Sequence, residues 1–211
     1  MVAVTGIHVV ADWPTGLPLG AWLDQVRPAV GTGITAVQVR ARGRSAAEVF
    51  SAVNDLWPWC RRTGCALLVN DRVDVAAAGG ADGVHLGQTS LPVAAARRVV
   101  GPDRLVGVSV HSLAEAEAAW SAGADYLMFG HVYASGSKPG LPPRGVELLA
   151  EVCRRSPVPV VALGGMAPDR LAEVRKAGAA GAAVLSYVMA SSDPAAAARA
   201  LADAWRAGVV G

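Results

Sequence analysis

Three times in this chain an alanine-rich stretch runs into glycine and restarts at once as an apolar run: GGADGVHL at 79–86, SAGADYLMFG at 121–130 and KAGAAGAAVLS at 176–186. Gly80, Gly123 and Gly178 fit the left-handed position that ends a helix, where a side chain would clash. One junction used repeatedly implies one strand–helix unit used repeatedly. Apolar runs at 7–11, 36–40, 66–70, 83–86, 105–110, 126–130, 158–163 and 182–186 read as strands. The stretches 19–30, 46–63, 73–78, 92–100, 113–122, 146–155, 169–177 and 194–207 read as helices. A helix after every strand requires parallel pairing, since antiparallel neighbours need only a hairpin. The strands are apolar at nearly every residue, as burial on both faces demands. Eight such units close into a (β/α)8 TIM barrel, and 211 residues, read as one domain over 1–211, is near its lower size limit. An open doubly wound sheet is the alternative.

Composition narrows the function classes. With 53% apolar and 17% charged residues, the chain supports one sizeable core. A net charge of +2 suggests neither a nucleic-acid surface nor an acidic tail. Glycine, proline or charge interrupts every apolar stretch before the ~18 residues of a membrane span. MVAVTGIHVVAD has no basic n-region, so no leader is expected. Cys60, Cys65 and Cys153 form neither an even disulfide set nor a CxxC pair, which fits free thiols in a reducing cytoplasm. A cytoplasmic protein with no nucleic-acid or membrane partner is therefore expected, and a homodimer is left open. Trp57-Pro58-Trp59 reads as packing over the barrel.

In a TIM barrel, chemistry sits at the C-terminal ends of the strands. The polar residues there are Gln38, Arg40 and Arg42; Asn70 and Asp71; Gln88; Ser109 and His111; His131; Gly164 and Gly165; and Ser186. GGMAPDR at 164–170 follows the seventh strand and opens a helix, a place where backbone N–H groups can approach an anion. Ser186 ends the eighth, and the loops after these two strands are the usual phosphate site of the fold. Arg40 and Arg42 share a face and suit carboxylate or phosphate, although Arg42 and Arg44 also read as a solvated strand end. His8 and His85 lie inside strands and read as packing residues; His111 reads as a neighbour of the Ser112 cap. His131 stands just past the sixth strand, where an imidazole can exchange protons near neutral pH. The Gly/Pro-rich loop 134–144 is long for such a barrel and reads as a lid carrying Lys138, one of only two lysines. Asn70–Asp71 is the one start of a metal site. The next strand end offers Thr89 and Ser90 rather than a second carboxylate, so no metal is expected.

The strand-two QxR, VNDRVD, GVHLGQ, SVHS, GGMxPDR and the closing GxxVxS together resemble the thiamine phosphate synthase superfamily over nearly the whole chain. FGHV, the Lys-Pro-Gly loop and RGVELL are similar to its thiazole tautomerase branch. The synthase branch usually has proline where His131 stands and a metal-binding aspartate where Ser90 stands. The resemblance implies an isomerase without a cofactor. It would aromatise a carboxylated alkylidene-thiazole phosphate to the thiazole carboxylate phosphate by proton transfer, in thiamine biosynthesis. Gly164, Gly165 and Ser186 would then hold phosphate and Arg40 the carboxylate. Gln38, Asn70 and Ser109 would line the substrate site, Lys138 would lid it, and His131 would move the proton. Gln88 and Lys138 fit the synthase as well, which joins a pyrimidine pyrophosphate to thiazole phosphate with Mg²⁺. A non-catalytic barrel binding thiazole or thiamine phosphate is the second alternative.

Overall fold

The computed structural model describes residues 4–208; residues 1–3, where the stretch read for a leader begins, and 209–211 lie outside it. The strands are β1 (Gly6–Asp12), β2 (Ala36–Arg40), β3 (Ala66–Asn70), β4 (Gly83–Leu86), β5 (Leu105–Val110), β6 (Tyr126–Gly130), β7 (Val160–Leu163) and β8 (Gly181–Val184). Between and after them run α1 (Leu19–Val26), α2 (Ala46–Thr63), α3 (Val73–Ala78), α4 (Val93–Val100), α5 (Leu113–Ser121), α6 (Val146–Arg155), α7 (Leu171–Lys176), α8 (Ser186–Met189) and α9 (Pro194–Ala207). Every strand pairs in parallel with its sequence neighbours, and β1 also pairs with β8. The sheet is a closed barrel without edges, which excludes the open doubly wound alternative and establishes the TIM barrel.

Local chemistry explains where the elements start and stop. Ser45 and Glu48 form a reciprocal capping box at the start of α2, and Gly64 closes it at φ 68°. The helix expected over 19–30 stops at Val26 and tightens into a 3-10 turn, Arg27–Ala29, because Pro28 has no N–H to continue the α ladder. The helix expected over 169–177 likewise begins as a 3-10 turn, Pro168–Arg170, ahead of α7. β7 starts two residues later than expected, and β8 ends at Val184, so Ser186 opens a short helix instead of ending the strand. Gly123 and Gly178 take φ 95° as expected of helix ends. Gly80 does not; it is glycine because the Trp57 ring lies where its Cβ would be.

Alternation along the strands divides two apolar populations. Val37 and Val39 of β2, Leu67 and Val69 of β3, and Leu127 and Phe129 of β6 belong to the layer under the helices. Ala36, Leu68, Tyr126, Met128, Val161 and Ala183 fill the barrel interior. Trp57 and Trp59 remain 39% exposed on α2, and arginines lie over both rings. Cys60, Cys65 and Cys153 are free thiols, the first two buried. Among the described residues no helix is long and apolar enough to cross a membrane.

Two fully buried imidazoles make the fold acid-sensitive. Burial pushes His8 down to about 4 and His85 to about 3 from an ordinary 6.5. Above pH 6.5 both are neutral folded or unfolded, so stability is complete there. Below it the unfolded chain takes up protons first, and stability falls as pH approaches those depressed values. Denaturant midpoints at pH 7.5 and pH 5.0 are expected to show a loss on the order of 2 kcal/mol per imidazole at the lower pH. An unchanged midpoint would mean that these rings are protonated in the fold.

Candidate functional site

A cavity of about 730 Å³ opens at the C-terminal ends of the strands. Gln38, Arg40, Asn70, Ser109, His131, Lys138, Gly164, Gly165 and Ser186 all line it, together with Arg42, Asp71, Gln88 and His111. Arg44 does not. It lies 4.2 Å over the Trp13 ring and bonds Glu48 at 2.9 Å, which makes it a packing residue of the strand end.

On the β2–β4 side the polar groups are chained together. Gln38 Nε2 donates to Asn70 Oδ1 at 2.7 Å, and Asn70 Nδ2 donates to Asp71 Oδ2 at 2.6 Å. Gln38 is only 2% exposed, and its Oε1 has no partner among the described residues. An acceptor left in that condition favours a ligand N–H. Asp71 adopts φ 62°, a left-handed conformation unusual for a residue with a side chain. The Ser90 hydroxyl donates to Asp71, and Gly87 N donates to Ser90 Oγ at 2.7 Å. Among the described residues Asp71 is the only carboxylate lining the cavity. Among the described residues no three His, Cys, Asp or Glu side chains are grouped to hold a metal. Arg40 forms an ion pair with Asp12, which occupies part of the guanidinium and leaves its other donors for a ligand.

Across the ring, the β6–β8 side is built by a loop pressed against glycines. His131 is 6% exposed, and its Nε2 donates to the Leu141 carbonyl at 3.2 Å. A carbonyl can only accept, so this nitrogen carries the hydrogen. Arg144 N donates to His131 O at 2.9 Å and Gly145 N to Val132 O at 3.1 Å. Loop 134–144 is thereby tied back onto the residues that follow β6. Lys138 closes a turn onto Ser135 O at 3.0 Å, with its side chain exposed. Gly164 and Gly165 take φ 99° and 67°; a Cβ on the first would strike His131, and on the second the Ala134 carbonyl. Arg170 holds the Gly165 carbonyl and lies 4.7 Å over the Tyr133 ring, whose hydroxyl donates to Glu173. These two glycines are therefore required by packing whether or not they also face an anion.

His85, read from the sequence as a packing residue, reaches the cavity floor. Its Nε2 lies 2.8 Å from Ser109 Oγ and its Nδ1 3.0 Å from the Tyr126 hydroxyl. Counting in twos along β4 from Gly83 places residue 85 on the interior face, and that signal was available in the sequence. The His131 contact yields a test. His131→Ala removes the tie to Leu141 and is expected to speed amide exchange at Arg144 and Gly145 by about tenfold or more, with β1–β5 unchanged. Unaltered exchange in the loop would show that the imidazole does not hold it.

The profile described as thiamine monophosphate synthase matches residues 9–188. A thiamine-phosphate synthase of Anaeromyxobacter dehalogenans is 49% identical over 87% of this chain and 83% of its own length. Another, of Chloroflexus aurantiacus, is 44% identical over 92% of this chain and 93% of its own. The solved structure of thiamine phosphate pyrophosphorylase from Pyrococcus furiosus superposes with a TM-score of 0.87 at 33% identity, covering 98% of each chain. These relatives carry the name of a synthase, a transferase, and that finding corrects the expectation of an isomerase built on FGHV and Ser90. The match over most of its length, at such identity and on the same barrel, establishes that the chain belongs to the thiamine monophosphate synthase family.

Proposed function

We propose that this protein is a transferase that joins a pyrimidine pyrophosphate to thiazole phosphate, releasing pyrophosphate. The observation that carries the reading is one cavity with polar walls at opposite points of an eight-strand ring. β3, ending at Asn70 and followed by Asp71, stands four positions from β7, which is followed by Gly164 and Gly165. Joining two phosphorylated fragments needs two phosphate zones and a shared space between them; isomerising one carboxylated phosphate needs one phosphate zone and a carboxylate site.

In this reading the thiazole phosphate lies against Gly164, Gly165 and Ser186, and the pyrimidine pyrophosphate lies between Arg40, Asn70 and Asp71. The thiazole ring nitrogen bonds to the methylene carbon of the pyrimidine while the C–O bond to pyrophosphate breaks. The electron pair of that bond leaves with pyrophosphate, and the thiazole becomes a cation. No proton has to be moved, so His131 serves by holding loop 134–144, and Lys138 meets the departing anion from above. Gln38 Oε1 accepts an N–H of the bound pyrimidine. Asp71 with its Ser90 neighbour fits a magnesium ion that shares its coordination with phosphate oxygens and water; it does not fit an all-protein cage. Bound there, Mg²⁺ would neutralise charge on the leaving group.

Supplying both substrates with Mg²⁺ is expected to yield thiamine phosphate and one pyrophosphate per turnover, read by a coupled phosphate assay and chromatography. EDTA should abolish turnover, and Asp71→Asn should lower kcat/KM by about tenfold or more. Binding of both substrates without pyrophosphate release would overturn the transferase reading in favour of a non-catalytic binding barrel.

A further inference from the structure

Tyr126 and His85 form a column beneath the cavity whose hydrogen-bond directions can be worked out by elimination. Tyr126 is fully buried, and among the described residues its hydroxyl has one polar partner, His85 Nδ1 at 3.0 Å. A buried O–H hydrogen without an acceptor is costly, and the only acceptor in reach is that nitrogen. Tyr126 therefore donates and Nδ1 is the bare nitrogen. A ring with a bare Nδ1 is neutral and has a single N–H. That hydrogen must sit on Nε2, which faces Ser109 Oγ at 2.8 Å. Among the described residues His85 is also the only partner of the Ser109 hydroxyl. With one lone pair of Oγ taken by His85, the serine hydrogen is left over, and Ser109 lines the cavity.

We propose that Tyr126 and His85 are positioning residues that fix Ser109 as a hydrogen-bond donor to the bound substrate. The site thereby selects a ligand bearing a lone-pair acceptor at that point, either a ring nitrogen or a phosphate oxygen, over one bearing N–H or O–H. The arrangement has a sterically prepared seat. Gly107 pairs with Tyr126 in the β5–β6 register, and any side chain on Gly107 would occupy the space of the Tyr126 ring. The tyrosine is thus held in the interior by shape, and its hydroxyl sets the tautomer of the ring above. The inference rests on the proposed function only in taking this cavity as the substrate site.

Nitrogen-15 NMR of the unliganded protein tests the tautomer without any substrate. Wild-type His85 is expected to show a pyridine-like Nδ1 and a pyrrole-like Nε2, and Tyr126→Phe, which removes only the hydroxyl, is expected to shift both signals. In turnover assays Tyr126→Phe and Ser109→Ala should each raise the KM of the same substrate by about three- to tenfold with kcat little changed. The substrate affected tells whether the acceptor is the pyrimidine's or the thiazole phosphate's. The double variant should lose no more than the worse single one, because both changes remove one interaction. A wild-type spectrum with the hydrogen on Nδ1, or fully additive losses, would overturn the proposal. Should Tyr126→Phe fail to fold, the wild-type spectrum still decides. Absence of product with the wild-type enzyme would instead sink the transferase reading and leave the spectrum to speak for itself.

Discussion

A strand in a closed parallel barrel has no spare face: helices cover one side, and a space only a few side chains wide lies on the other. Registry between neighbours therefore decides what each position can be. Where Tyr126 enters, the adjacent position on β5 is reduced to Gly107. Elsewhere the interior is kept narrow by Ala36, Ala66 and Ala183. A one-residue slip in any strand would turn its valines and leucines into the interior and its polar residues out under the helices. The polar column at the mouth is thus a consequence of the same pairing that closes the sheet.

Above this packed floor the polar residues are held mostly by one another. Arg40 leans on Asp12; Gln38, Asn70 and Asp71 form a donor chain; His85 stands between Tyr126 and Ser109; His131 grips Leu141. Such ties restrict rotamers before a ligand arrives, which lowers the ordering cost of binding. They also use up valences. His131 illustrates this: its Nε2 is already donating to a carbonyl of its own loop, which leaves only Nδ1 for another partner. Position at the rim suggested reactivity; the hydrogen bond adds a tie to the loop.

The barrel was legible because its signal is periodic. Eight apolar runs, each followed by a helix, leave few topologies, and the runs at 36–40, 66–70, 83–86, 105–110 and 126–130 match the strands to the residue. Boundaries slipped where backbone chemistry is local: at Pro28 and Pro168, where 3-10 turns intervene, and at Ser186, where the strand gives way to a helix. The lining of the cavity was legible as a set: all nine chosen residues meet there. Partnership was not. Whether His131 is free or bonded, whether Arg40 is paired, and whether His85 reaches the mouth depend on contacts across 10 to 41 residues of sequence, which no local pattern encodes. The choice between branches failed for a related reason: two substitutions were weighed as chemistry, although a histidine and a serine can serve equally as structural replacements.

Ser90 shows what such a replacement does. Its hydroxyl donates to Asp71, so this wall of the cavity carries one negative charge where two carboxylates would carry two. A single carboxylate attracts a divalent cation weakly in water but adequately when phosphate oxygens share the coordination. With Arg40 and Arg42 on the neighbouring strand end and Lys138 in the loop above, the cavity favours anions over cations. Charge balance then implies an order of events. Under the proposed transferase reading the pyrophosphate would bring its metal with it, because Asp71, already bonded to Asn70 and Ser90, offers a single carboxylate.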